Sequence, residues 1–205
     1  MYELIIFSQL MRHPAHGYLI AKIINGMIGP FARISNGSLY PLLSKLEKAK
    51  LIAAYHENAA GQQGDRQFRS YTITEAGRRR FRELMMDTTS NPGGYRELFL
   101  YKATVLDCLM PAERLRLIDH YINYCQSHIL HLTSGAEDFA QITAHWCPTW
   151  TPPQLDITLN VMQHTIDQWQ LELDWARTLR ARAIALSTDT EPDLQNGKTV
   201  SLWSS

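Results

Sequence analysis

Apolar residues return every three or four positions along most of this 205-residue chain, and only between Leu51 and Thr74 does that rhythm break. There Leu51 to His56 reads as a strand, Glu57 to Asp65 as a polar turn containing glycine, and Arg66 to Thr74 as a returning strand closed by Tyr71-Thr72-Ile73. A chain with one hairpin in a helical pattern can be neither a sandwich nor a parallel-sheet protein. It is mainly α with a small β-hairpin.

Three helices are predicted before the hairpin. Leu4, Phe7, Leu10 and Met11 share a face up to His13-Pro14. Leu19, Ile20, Ile23, Ile24 and Met27 form a second stripe stopping near Gly29-Pro30. Ser35 is placed to cap a third helix, whose apolar stripe is Leu39, Leu42 or Leu43, and Leu46, with Pro41 near its first turn. After the hairpin, Thr74 caps a basic helix, Glu75 to Met86, and the stretch from Thr88 to Gly94 has the composition of a linker.

The remainder is predicted helical: Tyr95 to Leu109, Pro111 to Thr133 and Pro152 to Leu186, interrupted at Gly135 and at 148–153. Thr151-Pro152-Pro153-Gln154 is a capping-box start. The expected organisation is therefore a first domain over 1–87, a linker at 88–94, a helical domain over 95–187 and a flexible tail at 188–205.

Charge separates along the same line. Up to Met86 twelve basic residues face six acidic ones, so that part carries +6 and the rest −6 on a chain with no net charge. A basic module joined to an acidic one suits a polyanion ligand for the first part alone. No apolar run reaches membrane-spanning length, and the start of the chain lacks the basic and apolar regions of an export signal. Cys108, Cys125 and Cys147 are odd in number and widely spaced, which fits a reducing compartment, and a cytoplasmic location is expected.

Helix, helix, capped helix, hairpin and helix is the order of a winged helix-turn-helix, in which the third helix enters the major groove and the wing follows the backbone. The expected DNA-binding residues are Ser35, Asn36, Gly37, Ser38, Tyr40, Pro41, Ser44 and Lys45 on that helix, with Arg66 and Arg69 on the wing. Lys48 and Lys50 extend the charge, whereas Arg78 to Arg82 also fit a solvated face.

The stretch Leu10-Met11-Arg12-His13-Pro14-Ala15-His16-Gly17-Tyr18, then Ser35-Asn36-Gly37-Ser38-Leu39-Tyr40-Pro41-Leu42-Leu43, and then Tyr71-Thr72-Ile73-Thr74-Glu75-Ala76-Gly77 resembles the PadR family of transcriptional regulators. The resemblance covers nearly all of the first 85 or so positions, although the wing tip, Gly61 to Arg66, is longer and richer in amides than a minimal Gly-Arg-Pro wing. It implies a homodimeric repressor that binds a palindromic operator and is released by a small aromatic effector. The long helical second region is similar to the subgroup that controls phenolic acid decarboxylase genes, with hydroxycinnamic acids as inducers.

Two further constellations lie in that region. Tyr121, Tyr124, His128 and His131 form a polar aromatic stripe which, with Tyr18 and Trp146, is the expected ligand site; an interdomain surface with satisfied polar tips is an equal alternative. Leu155, Leu159, Met162, Ile166, Trp169 and Leu173 alternate steps of four and three, a seam for the dimer interface or for the domain's own core. Cys125, His128, His131, His145 and Cys147 match no zinc spacing, so neither metal nor cofactor is expected. No nucleophile elbow, phosphate loop or paired-carboxylate spacing supports an enzyme. The competing readings are a winged-helix protein-interaction adaptor without DNA binding and, with less support, a small hydrolase or lyase.

Overall fold

A computed structural model of the chain describes residues 1–28, 33–55, 69–146 and 151–188, and the side chains of 143–146 and 187–188 lie outside that description. The chain divides into two compact units, Met1–Leu109 and Met110–Ser205.

In the first unit α1 (Tyr2–Arg12), β1 (Ala15–His16), α2 (Gly17–Met27) and α3 (Asn36–Lys48) precede β2 (Ile52–Tyr55) and β3 (Ser70–Ile73), which lead into α4 (Glu75–Met86) and α5 (Tyr95–Ala103). The strands form an antiparallel sheet in the order β1-β3-β2, with Ala15 opposite Tyr71 and Ile52 opposite Ile73. β1 is not among the predicted elements, because a two-residue strand carries no periodicity to read. The core joins Ile5, Ile6, Phe7 and Leu10 of α1 to Ile20 and Ile24 of α2, Leu39, Leu43 and Leu46 of α3, and Phe81 and Met85 of α4. Of the two alternatives for the α3 stripe, Leu43 is buried and Leu42 only half-buried.

Both predicted caps of this unit form. Ser35 Oγ accepts from the Ser38 N–H at 3.2 Å, and Thr74 Oγ1 accepts from the Gly77 N–H at 3.1 Å. The Thr74 hydroxyl also reaches the carbonyls of Lys50 (2.7 Å) and Leu51 (3.0 Å), where the chain leaves α3 with Lys50 in the left-handed region at φ 58°. That brings α4 so close that a Cβ on Gly77 would lie 2.0 Å from the Leu51 carbonyl oxygen.

The linker expected at 88–94 falls inside the first unit. Asp87 accepts from the backbone N–H groups of Thr89 (3.0 Å) and Ser90 (3.1 Å) and from the Ser90 hydroxyl, which holds its carboxyl down at about 2. A 3-10 turn at Pro92–Gly94 follows, and then α5 sinks Tyr95 and Phe99 into the core, with Leu106 and Leu109 behind it. Linker-like composition shows that a stretch will not form a long helix, not that the next helix packs elsewhere. The predicted helix 95–109 accordingly ends at Ala103 and gives way to a 3-10 turn at Leu106–Cys108.

The second unit contains α6 (Pro111–Trp146) and α7 (Pro152–Thr188). α6 continues through Gly135, where the sequence suggests an interruption; one glycine costs a helix only about 1 kcal/mol. Half of the predicted box at the start of α7 is present, the Thr151 N–H donating to Gln154 Oε1 at 2.9 Å. The helices run antiparallel: Asp119 pairs with Arg180 at 2.6 Å, the Tyr121 hydroxyl donates to Glu172 at 2.8 Å, and His128 lies on Trp169. The fully buried side chains cluster at one end, Leu117, Ile118, Tyr121 and Cys125 against Leu173, Ala176 and Ala183. From 126 to 142 and from 152 to 172 none is buried. Among the described residues no helix is long and apolar enough to cross a membrane, and no cluster of three His, Cys, Asp or Glu side chains is placed to hold a metal.

Candidate nucleic-acid interface

With Leu39, Leu43 and Leu46 turned inward, α3 presents Asn36, Gly37, Ser38, Tyr40, Pro41 and Lys45 to solvent, together with Lys48 and its cap Ser35; Ser44 is half-buried. Small donors and acceptors near the N-terminus with cations toward the C-terminus suit a helix whose first turns meet base edges while its lysines meet phosphates. Pro41 is the sixth helical residue, beyond the first turn, and supplies no N–H for the Gly37 carbonyl.

Three residues of the His-Gly-Tyr motif arrange the helix behind α3. His16 caps α2, its Nδ1 accepting from the Leu19 N–H at 3.1 Å. Tyr18 is exposed and stacks on His16 with ring centroids 6.2 Å apart. Gly17 gives room to Tyr40, since a Cβ there would lie 2.9 Å from Tyr40 Cε1. Tyr40 is thus both a packing residue and, at 46% exposure, part of the surface.

The wing cations differ from one another. Arg69 donates to Glu47 of α3 at 2.6 Å and lies 5.8 Å from the Tyr71 ring, which places the residue before β3 against α3. Burial raises the Tyr71 hydroxyl pKa and the Arg69 charge opposes the rise. Arg66 and the rest of the wing tip lie outside the described residues. On α4, Arg80 is committed to Glu3 and Glu83, both at 3.1 Å, and these bonds raise its pKa further; Arg78 reaches Met11 Sδ at 3.4 Å.

Residues 6–83 match the transcriptional regulator PadR-like family. Over those residues the chain is similar to PadR-like transcriptional regulators. The family is one of DNA-binding regulators and not of enzymes. Solved structures with a similar course are Bacillus subtilis PadR in complex with operator DNA (16% identity, 88% of this chain and 98% of that one, TM-score 0.39) and the Vibrio cholerae virulence activator AphA (19%, 91% and 99%, 0.36). Bacillus subtilis PadR in complex with p-coumaric acid matches at 18% identity over 88% of this chain and 97% of that one, with a TM-score of 0.36. No curated protein matches the chain.

Of the expected ligand residues, Tyr121, Tyr124 and His128 lie next to one another on α6. Tyr121 is a core residue, bonded to Glu172. Tyr124 and His128 pack on Trp169, the latter in parallel with centroids 4.1 Å apart, and burial, then the neighbouring His131, lower the His128 pKa. His131 is exposed, the Trp146 side chain is outside the description, and Tyr18 belongs to the first unit. The cleft of about 140 Å³ in the first unit, between α1, α4 and α5, is lined by none of the six. Of the seam residues on α7, Trp169 lies against α6, Leu173 is buried, and Leu155, Leu159, Met162 and Ile166 are half-buried. Period alone cannot say whether such a face meets its own domain or a second copy.

Proposed function

We propose that this protein is a transcriptional repressor that binds a palindromic operator as a homodimer, with α3 in the major groove, and is released by a small aromatic effector of the phenolic acid class to control a phenolic acid decarboxylase gene. The observation that carries the DNA-binding part is α3 itself, a capped helix with a closed apolar face and an exposed face of Asn36, Ser38, Tyr40 and Lys45. Arg69, paired with Glu47, supplies charge beside α3.

For the dimer, the support is an exposed stripe on α7, Ile157, Val161 and Leu171, ending at Trp175, whose ring also meets Tyr121 of α6 edge-on at 6.3 Å. His164 and Gln168 complete its four-three spacing. The effector reading rests on the family's phenolic-acid subgroup and on the polar rings of Tyr124 and His128.

A mobility-shift titration on the DNA upstream of the protein's own gene and on a neighbouring decarboxylase promoter, with and without p-coumaric acid, tests the whole reading. Retardation relieved by the acid is the expected result. Lys45→Ala should weaken binding about tenfold, the loss shrinking at high salt, and Tyr40→Phe should weaken it while keeping the ring beside Gly17. Undiminished affinity in both variants would move the interface away from α3.

A further inference from the structure

α5 and the residues after it bond to the C-terminal ends of three helices of the winged helix. The Tyr101 hydroxyl donates to the Met27 carbonyl at the end of α2 at 3.0 Å. Lys102, fully buried, donates from Nζ to the Asp87 carbonyl just past α4 at 2.5 Å, with the Tyr95 ring 5.6 Å away. Arg12, the last residue of α1, donates to the Thr104 carbonyl at 3.4 Å and pairs with Asp107 at 3.2 Å. The carbonyls closing a helix have no partner within it, so a donor held there fixes the position of the whole element.

The bond to α2 leads onward. In the last turns of α2, Asn25 Oδ1 accepts from the Ile34 N–H at 2.7 Å. Ile34 immediately precedes Ser35, whose hydroxyl accepts from Ser38 and starts α3. Tyr101, Met27, Asn25, Ile34 and the Ser35 cap thus form one series from α5 to the exposed first turn of α3. After Leu109 the chain enters α6, so α5 and its 3-10 turn are the sole covalent route between the second unit and the winged helix.

We propose that Tyr101 is a positioning residue for DNA recognition, holding the α2–α3 corner from α5 so that a displacement arriving along the chain is passed to the recognition helix. The residue is buried to 8% exposure, and of the two acceptors near its single hydroxyl proton the Met27 carbonyl at 3.0 Å is closer than Glu97 Oε1 at 3.4 Å. The surface pair Arg12–Asp107 contributes less, because exposed ion pairs hold geometry weakly. The role in DNA recognition rests on the functional reading above; the relay does not.

The test is Tyr101→Phe in the full chain, which keeps the ring and removes the donor. Amide hydrogen exchange at Ile34 and Ser38 should become about fivefold faster, the consequence of losing one neutral hydrogen bond, while amides of α1 and of the α6–α7 base keep their rates. Affinity for the protein's upstream DNA should fall by a similar factor at nearly unchanged melting temperature. Asn25→Ala, acting further along the series, should accelerate the same two amides even if the first variant folds poorly. Unchanged exchange at Ile34 and Ser38 in either variant overturns the relay, and accelerated exchange with wild-type DNA affinity overturns the positioning role. Should the wild type bind no DNA, the functional reading falls, and the exchange rates still decide the relay.

Discussion

Gly77 and Lys102 are single residues whose surroundings leave little choice. A methyl at Gly77 would meet the Leu51 carbonyl at 2.0 Å, and neither partner is the end of a flexible side chain. Gly77→Ala should therefore cost at least about 2 kcal/mol in chemical denaturation, by forcing α4 away from the β2 end. Lys102 is held by burial to a pKa of about 8 against its usual 10.5, with the Asp87 charge opposing the shift. The native protein then binds fewer protons than the unfolded chain between those values, so stability rises with pH there. Relative to Lys102→Met, the wild type should gain stability from about pH 8 to about 10.5; parallel denaturation curves for the two proteins over that range would show that the ammonium is not desolvated as described. The exposed face of α3 is legible at this scale because helical period decides exposure, as for Ser38, Tyr40 and Lys45. Arg69 is legible as a wing cation but not as the partner of Glu47, because 22 residues separate them and no local rule joins them.

At the scale of elements, the caps show why local chemistry reads well. Ser35, Thr74 and Gln154 each act on a backbone group three residues away, within reach of sequence rules. β1 and the docking of α5 depend on chain segments far apart, and neither leaves a local signature. α6 gives a direct test of the same distinction. A Cβ added at Gly135 would meet nothing within 4 Å, so Gly135→Ala should stabilise the second unit by about 0.5–1 kcal/mol, measured by thermal melting. A loss of stability instead would mean that the helix needs the glycine's freedom.

For the whole molecule, the unequal burial along α6 and α7 bears on association. The proposed pairing through Ile157, Val161 and Leu171 predicts a melting temperature that climbs with protein concentration. Val161→Lys should abolish that dependence and raise the monomer fraction in analytical ultracentrifugation, whereas retained dimers would place the contact elsewhere. A helix of 36 residues is about 54 Å long, so tilting it by about 5° swings its far end by roughly 5 Å, close to one helical turn. Secured at one end by Leu117, Tyr121 and Leu173 and left open beyond, the α6–α7 hairpin has the proportions of a pointer on a dial: small angles at the tight end become distances large enough to exchange one set of side-chain neighbours for the next.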